Sequence, residues 1–270
     1  MRFGLIGVIA LGLAACGSET TLRGNTRDTD GLPTGDDVRP DDILPPIAVC
    51  AISKDPTQPG EPVSLIGENS YDPDGNLIVN YHWSLVKKPA GSEARLTSGT
   101  ANVDEFTPDL VGDYAVTLTV TNDFGNPSEP CSRSFRAEPS QDLYIELTSE
   151  HPTDNIALRV ARSSDPSDFC SQDGCSQDWG ASGADGDPAF LSDDVSDGAD
   201  VIAIGSPATG KFTVTAYDDL TGLGLADNVV TVVVYIKGVE AWRGSHTMLK
   251  ENSSADFAEI SFPSGSVTAL

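Results

Sequence analysis

Positive charge, aromatic rings and histidine are all scarce in this 270-residue chain. Sixteen Lys+Arg stand against 41 Asp+Glu, aromatics make up 7% of residues, and the only histidines are His82, His151 and His246. A formal charge of −25 repels phosphate backbones and anionic lipid headgroups. Nucleic-acid binding is excluded. No histidine belongs to an H-E-x-x-H pair, and no G-x-S-x-G elbow, P-loop or G-x-G-x-x-G turn occurs. Paired carboxylates can hydrolyse glycosides, but the acids here sit in turns with no flanking aromatic cleft. No catalytic residue is therefore assigned. The chain also lacks an apolar run of the ~20 residues that span a bilayer. No stretch between Ile47 and Glu138 carries the 3.6-residue apolar period of a helix.

What is present begins with a targeting segment. In residues 1–15 Arg2 is the only charge, and Phe3 to Ala15 is a run of apolar and small residues suited to a signal peptide. Its end, "LAAC", resembles the lipobox of bacterial lipoproteins. That resemblance implies cleavage before Cys16, a lipid on its thiol, and attachment to a membrane through this anchor. Gly17-Ser18 lacks the aspartate of inner-membrane retention, so an outer-membrane location is expected, on the periplasmic face or the cell surface. Residues 16–45 are rich in Asp, Thr, Gly and Pro and hold too little apolar surface to offset ordering entropy. They are expected to form a disordered tether.

Four further cysteines, Cys50, Cys131, Cys170 and Cys175, form an even set in an exported chain and read as two disulfides. Three pairings exist. Proximity and domain layout favour Cys50–Cys131 and Cys170–Cys175.

Residues 46–138 show short strands between Gly/Pro/Asp turns: "IAVCAIS", "PVSLIG", "LIVNYHWSL", "ARLTSG", "YAVTLTVTN" and "CSRSFRA". With Trp83 mid-chain and Tyr114 opening a late strand, they predict an immunoglobulin-like sandwich. "EPVSLIGENSYDPDG", "YHWSL" and "FTPDLVGDYAVTLTVTNDFG" resemble the PKD (polycystic kidney disease) domain family. The resemblance implies a non-catalytic extracellular β-sandwich that serves as spacer or adhesion module. It also implies a core role for Trp83 and a first-to-last-strand disulfide, Cys50–Cys131.

Residues 141–270 supply seven more strand-like segments, from "LYIELTS" to "FAEISF", and predict a second, jelly-roll-like β-sandwich. The fold class is all-β. An insertion from Ser163 to Asp200 has no regular pattern, carries ten aspartates and contains no Lys or Arg. Trp179, Phe190 and Leu191 punctuate it and are expected to pack on the sandwich. The string "DWG…DPAFLSDDVSDG" resembles a β-sandwich module that recurs in bacterial surface lipoproteins, often beside PKD domains.

Two acidic loops are candidate calcium sites, since hard cations take several carboxylate and carbonyl oxygens. "DPDG" (Asp72 to Gly75) is first of all a type I turn. In calcium-binding PKD domains its aspartates ligate with a third from a later loop. Here that implies Asp72 and Asp74, with Asn122 and Asp123 competing for the third position; Asp123 is the candidate. In the insertion, Asp185, Asp187, Asp193 and Asp194 are the candidates, with a solvated loop as the alternative. The function expected is lipid-anchored structural or adhesive display, calcium-stabilised. The alternative is a polysaccharide-binding accessory component of a surface hydrolase system. The partner expected beyond the membrane is an extracellular protein or a polysaccharide.

Overall fold

The computed structural model describes residues 44–151, 156–180, 182–192, 199–218, 227–249 and 254–270. The expectations for residues 1–43, Cys16 included, and for Asp193 and Asp194 lie outside these. Among the described residues there is no α-helix; one 3-10 turn, Ala184–Gly186, accompanies seventeen strands.

The first sandwich packs two three-stranded antiparallel sheets. One joins β1 (Ala51–Ile52), β2 (Val63–Ile66) and β4 (Val103–Phe106). The other joins β3 (Ile78–Lys87), β5 (Gly112–Asn122) and β6 (Cys131–Ala137). Strand β5 shows why: Tyr114, Val116, Leu118 and Val120 turn inward while threonines turn outward, the period of two that a half-buried strand requires. Trp83 is 2% exposed and donates its indole N–H to the Ala101 carbonyl at 3.0 Å. A bare Gly67 is needed beneath it, because a Cβ there would stand 2.7 Å from Leu118. The Tyr114 hydroxyl accepts from the Leu110 N–H and shares its one proton between the Leu110 carbonyl and Asp109, which ties the corner before β5. Cys50 and Cys131 are disulfide-bonded, joining the two sheets.

One expected strand is wrong. "ARLTSG" forms no strand; Leu96 makes a single bridge to Phe106, and the strand beside β2 is "VDEF". Its pattern is inverted, with Asp104 buried and Val103 exposed. Asp104 turns inward because its carboxylate accepts the N–H groups of Ser98, Gly99 and Glu105. A buried acid on the inner face hides the strand from any hydrophobicity pattern.

The second sandwich has a six-stranded and a five-stranded antiparallel sheet. Its strands are β7 (Leu143–Ser149), β8 (Ile156–Arg162), β9 (Asp165–Ser171), β10 (Gly174–Cys175), β11 (Ala189–Ser192) and β12 (Ala199–Ile204). They continue as β13 (Gly210–Asp218), β14 (Asn228–Ile236), β15 (Val239–Met248), β16 (Ser254–Phe262) and β17 (Ser266–Ala269). The six-stranded order is β10-β9-β8-β13-β16-β17 and the five-stranded order β11-β12-β7-β14-β15. Leu143, Ile145, Leu158, Val160, Phe212, Val232 and Ile260 interdigitate between them.

The insertion is more regular than expected: it contains β9, β10 and β11. Strand β9 opens with three exposed residues, Asp165, Pro166 and Ser167, so it shows no alternation, and only pairing with β8 reveals it. Cys170 and Cys175 face each other in the β9–β10 hairpin and are disulfide-bonded. Trp179 is fully buried, stacks on Phe212 at 5.5 Å and donates to Asp168. Phe190 packs against the core, but Leu191 is 51% exposed and does not.

Strand β7 is buried on both faces. Its odd residues enter the core, while Tyr144 and Glu146 point outward and are still covered. With Val201, Ala203, Val233 and Tyr235 from β12 and β14, Tyr144 packs around Val111 of the first sandwich. This explains the near-continuous apolar run "VVTVVVYI" in β14, since a strand covered on both sides has no polar face to show.

Candidate functional site

The turn expected at Asp72–Gly75 closes through a Gly75 N–H to Asp72 carbonyl bond of 3.0 Å, with Gly75 at φ +81°. Asp72 itself is buried. Its Oδ1 accepts from the Asp74 N–H (2.9 Å), the Asn76 N–H (3.4 Å) and Asn76 Nδ2 (3.1 Å); its Oδ2 accepts from Asn122 Nδ2 (2.9 Å). Asn122 is fully buried at the end of β5. Its Oδ1 accepts the N–H groups of Phe124 and Asn126, which fixes the amide so that NH₂ faces Asp72. The hydrogen bonds, that of Asn122 foremost, hold the Asp72 carboxyl below the usual range.

This arrangement does not fit calcium. A cation needs oxygens pointing inward, whereas Asn122 presents a donor and three further donors occupy Asp72. Asp74 is turned elsewhere, accepting the Leu44 N–H at 2.7 Å. Asp123 is exposed, and its backbone N–H is bonded to the Leu77 carbonyl. Between the two residues that competed for the third position, the structure puts Asn122 opposite Asp72.

In the second sandwich, Asp185 is exposed in the 3-10 turn. Asp187 Oδ1 accepts the Asp178 N–H at 2.6 Å. Among the described residues no group of three or more His, Cys, Asp or Glu side chains is placed to hold a metal.

Sequence reasoning missed the joint between the sandwiches. Glu146 is 3% exposed, and its Oε1 accepts the Val111 N–H at 2.7 Å. Burial pushes its carboxyl up to about 8, against the Val111 N–H, the Tyr235 hydroxyl and Arg243, which pull it down; Asp109 adds to the rise. Tyr144 and Tyr235, also raised by burial, stand beside it with ring centroids 6.1 Å apart. On the first sandwich's side of the joint, Asp109 accepts from Ser92 Oγ, the N–H groups of Glu93 and Ala94, and the Tyr114 hydroxyl. That fixes the loop whose Gly91, at φ +84°, lies so close to Thr148 that a Cβ would stand 3.1 Å away. The available signal was the two-faced apolarity of β14 and the tyrosine-flanked Glu146.

On the outer face of the six-stranded sheet lies a groove of about 510 Å³. Arg159 stacks on the Phe169 ring at 4.1 Å, and Thr215 donates to Asp256 at 2.7 Å. Tyr217 and Thr213 complete the lining. It is no row of exposed rings: Trp83 and Trp179 are buried, and Trp242 is packed on the core.

Residues 52–129 match the family model described as K319L-like, PKD domain. The solution structure of the PKD domain from the KIAA 1837 protein is similar at 26% identity, covering 33% of this chain and 81% of that one, with a TM-score of 0.26. The PKD1 domain of the Vibrio cholerae metalloprotease PrtV is similar at 22% identity, covering 36% and 100%, also at 0.26. A structure of carbohydrate-binding modules from the β-sandwich superfamily shares 13% identity over 70% of this chain and 58% of that one, at 0.32. No curated protein matches the chain. The match to the PKD domain family thus covers most of the first sandwich and stops short of the second.

Proposed function

We propose that the chain is a non-catalytic structural or adhesive protein of the cell surface, carried on the outer membrane by a lipid at Cys16. The carrying observation is how the polar groups are used. Asp72, Asp104, Asp109 and Glu146 each accept backbone N–H groups and hold loops or sandwiches together. Carboxylates engaged this way support architecture rather than proton transfer. Glu146 and Val111 clamp the PKD domain onto the second sandwich, within one compact unit from Ile43 to Leu270.

Calcium, expected for both acidic loops, is retained in this proposal for the 185–194 stretch alone. The donors around Asp72 and Asn122 do the cross-linking that a cation would do in the PKD loop. The test of the whole reading is membrane fractionation. Wild type should follow outer membranes and Cys16→Ser should be released; equal partition of the two overturns the anchored role.

A second reading, binding of polysaccharide, is favoured by the groove between Arg159–Phe169 and Thr215–Asp256. Stacking surface flanked by hydroxyl and charged partners suits sugar rings. Wild type should be retarded by soluble surface polysaccharides in affinity electrophoresis and Tyr217→Ala should not; no retardation of wild type removes this reading.

A further inference from the structure

Exposed apolar side chains are concentrated at one place. Of the twelve large hydrophobic residues exposed among the described ones, six are Leu44, Ile47, Tyr71, Leu77, Val79 and Phe124, with Leu77 at 69% and Phe124 at 61%. They come from segments far apart in sequence that the PKD domain ties together. Ile47 and Tyr71 exchange backbone hydrogen bonds of 2.7 and 3.1 Å. The Leu77 carbonyl accepts the Asp123 N–H beside Phe124, and Ile78, next to Val79, pairs with Asn122. The Asp72–Asn122 network lies at the centre and fixes both loops. Such an ordered group of exposed apolar residues marks an interaction surface.

The sequence link from Cys16 to this tip indicates what covers it. Leu44 belongs to the cluster, and its N–H is held by Asp74 at 2.7 Å. The N-terminal segment therefore joins the PKD domain at this tip. Only 28 positions separate Cys16 from Leu44, so a lipid on Cys16 keeps the tip within reach of the bilayer. We propose that this apolar tip seats in the interfacial region of a zwitterionic bilayer, the membrane holding the anchor; the proposal rests on the reading of Cys16 as lipidated. Aromatic and aliphatic tips suit the headgroup boundary. The exposed acids Glu68, Asp74 and Asp123 around it disfavour anionic lipid. Lipid and tip together would fix the orientation of the PKD domain over the membrane, which a tether alone cannot do.

The test places tryptophan by Phe124→Trp in the lipidated full chain, reconstituted in phosphatidylethanolamine/phosphatidylcholine vesicles with brominated acyl chains. The native tryptophans supply a constant background, and Val239→Trp, on the second sandwich, is the control. Quenching at position 124 at least twice that at 239 is expected, falling by half or more when Leu77→Ser is added. Vesicles half replaced by phosphatidylglycerol should quench less. The same Phe124→Trp chain carrying Cys16→Ser, at high lipid, separates tip from anchor. Weak saturable quenching there supports the tip even if the wild-type chain fails to float with vesicles and the anchor reading falls. A floating lipidated chain with no quenching at 124 overturns the tip while leaving the anchor. A concentration-dependent dimer in solution that Phe124→Ser abolishes also overturns it, in favour of a second copy.

Discussion

Asp72 at the loop tip and Glu146 at the joint are both buried carboxylates, yet their surroundings drive them to opposite protonation states. Asp72 is met by four N–H donors from three residues, so its charge is solvated by the protein and its titration moves down. Glu146 receives one backbone N–H and a phenol amid Val111, Tyr144 and Val233, so burial dominates and its titration moves up. The balance between donors and depth of burial decides the sign: Asp72 lies near the surface among donors, Glu146 deep in the joint with few. The stabilisation from Asp72 is full above the ordinary carboxylate range and is lost as pH falls through its lowered value. That from Glu146 is whole below 4.5 and is lost as pH rises to about 8.

The largest effect should come from breaking that asymmetry at the joint. Between pH 5 and 9, the Glu146 carboxyl contributes a loss of stability of about 4 kcal/mol. Glu146→Gln keeps an acceptor for the Val111 N–H and removes the titration. Its urea midpoint should therefore change less than that of wild type across the same range. Parallel pH profiles for the two proteins would show that Glu146 is not protonated in the folded chain.

Converting the tip toward a metal site tests it from the other side. Asn122→Asp replaces the donor facing Asp72 with a second carboxylate and should lower stability by about 1–3 kcal/mol in chelator. Millimolar calcium should restore part of that, as in extracellular sites. Wild type should show no calcium shift that Asp72→Asn removes, which differential scanning calorimetry can check.

Two glycines with nearly equal backbone angles sharpen the contrast between the regions. Gly75 has open space around it and Gly91 abuts Thr148. Gly75→Ala should cost about 1 kcal/mol for its left-handed φ, and Gly91→Ala roughly 1 kcal/mol more, because the joint must shift as well. Equal melting temperatures would mean that the two sandwiches separate without resistance. The smallest effect is expected from Asp74→Asn. It alters an exposed acceptor of the Leu44 N–H and should change stability by no more than about 0.5 kcal/mol.

Much of the fold was legible. The alternation in "YAVTLTVTN" predicted β5 to within two residues, and the cysteine layout predicted both disulfides. Strand β4 was not legible, because Asp104 rather than Val103 faces inward; strand β9 was hidden by its exposed polar start. At the tip, the residue types suggested ligands, but the direction of the Asn122 amide depends on two backbone N–H groups that only the folded loop provides.

Sequence alone determined the all-β class and the Cys170–Cys175 pairing, because period-two alternation, turn chemistry and a five-residue separation are local properties. The likeness to PKD domains rested on motifs, and Cys50–Cys131, 81 residues apart, on the domain layout they implied. Tertiary structure decided the rest. Whether a carboxylate binds a cation, accepts N–H groups or is held neutral depends on neighbours such as Asn122, 50 residues from Asp72, and Val111, 35 residues from Glu146. Those distances along the chain close only when the sheets stack, and the balance of donors and apolar contacts set there fixes the charge.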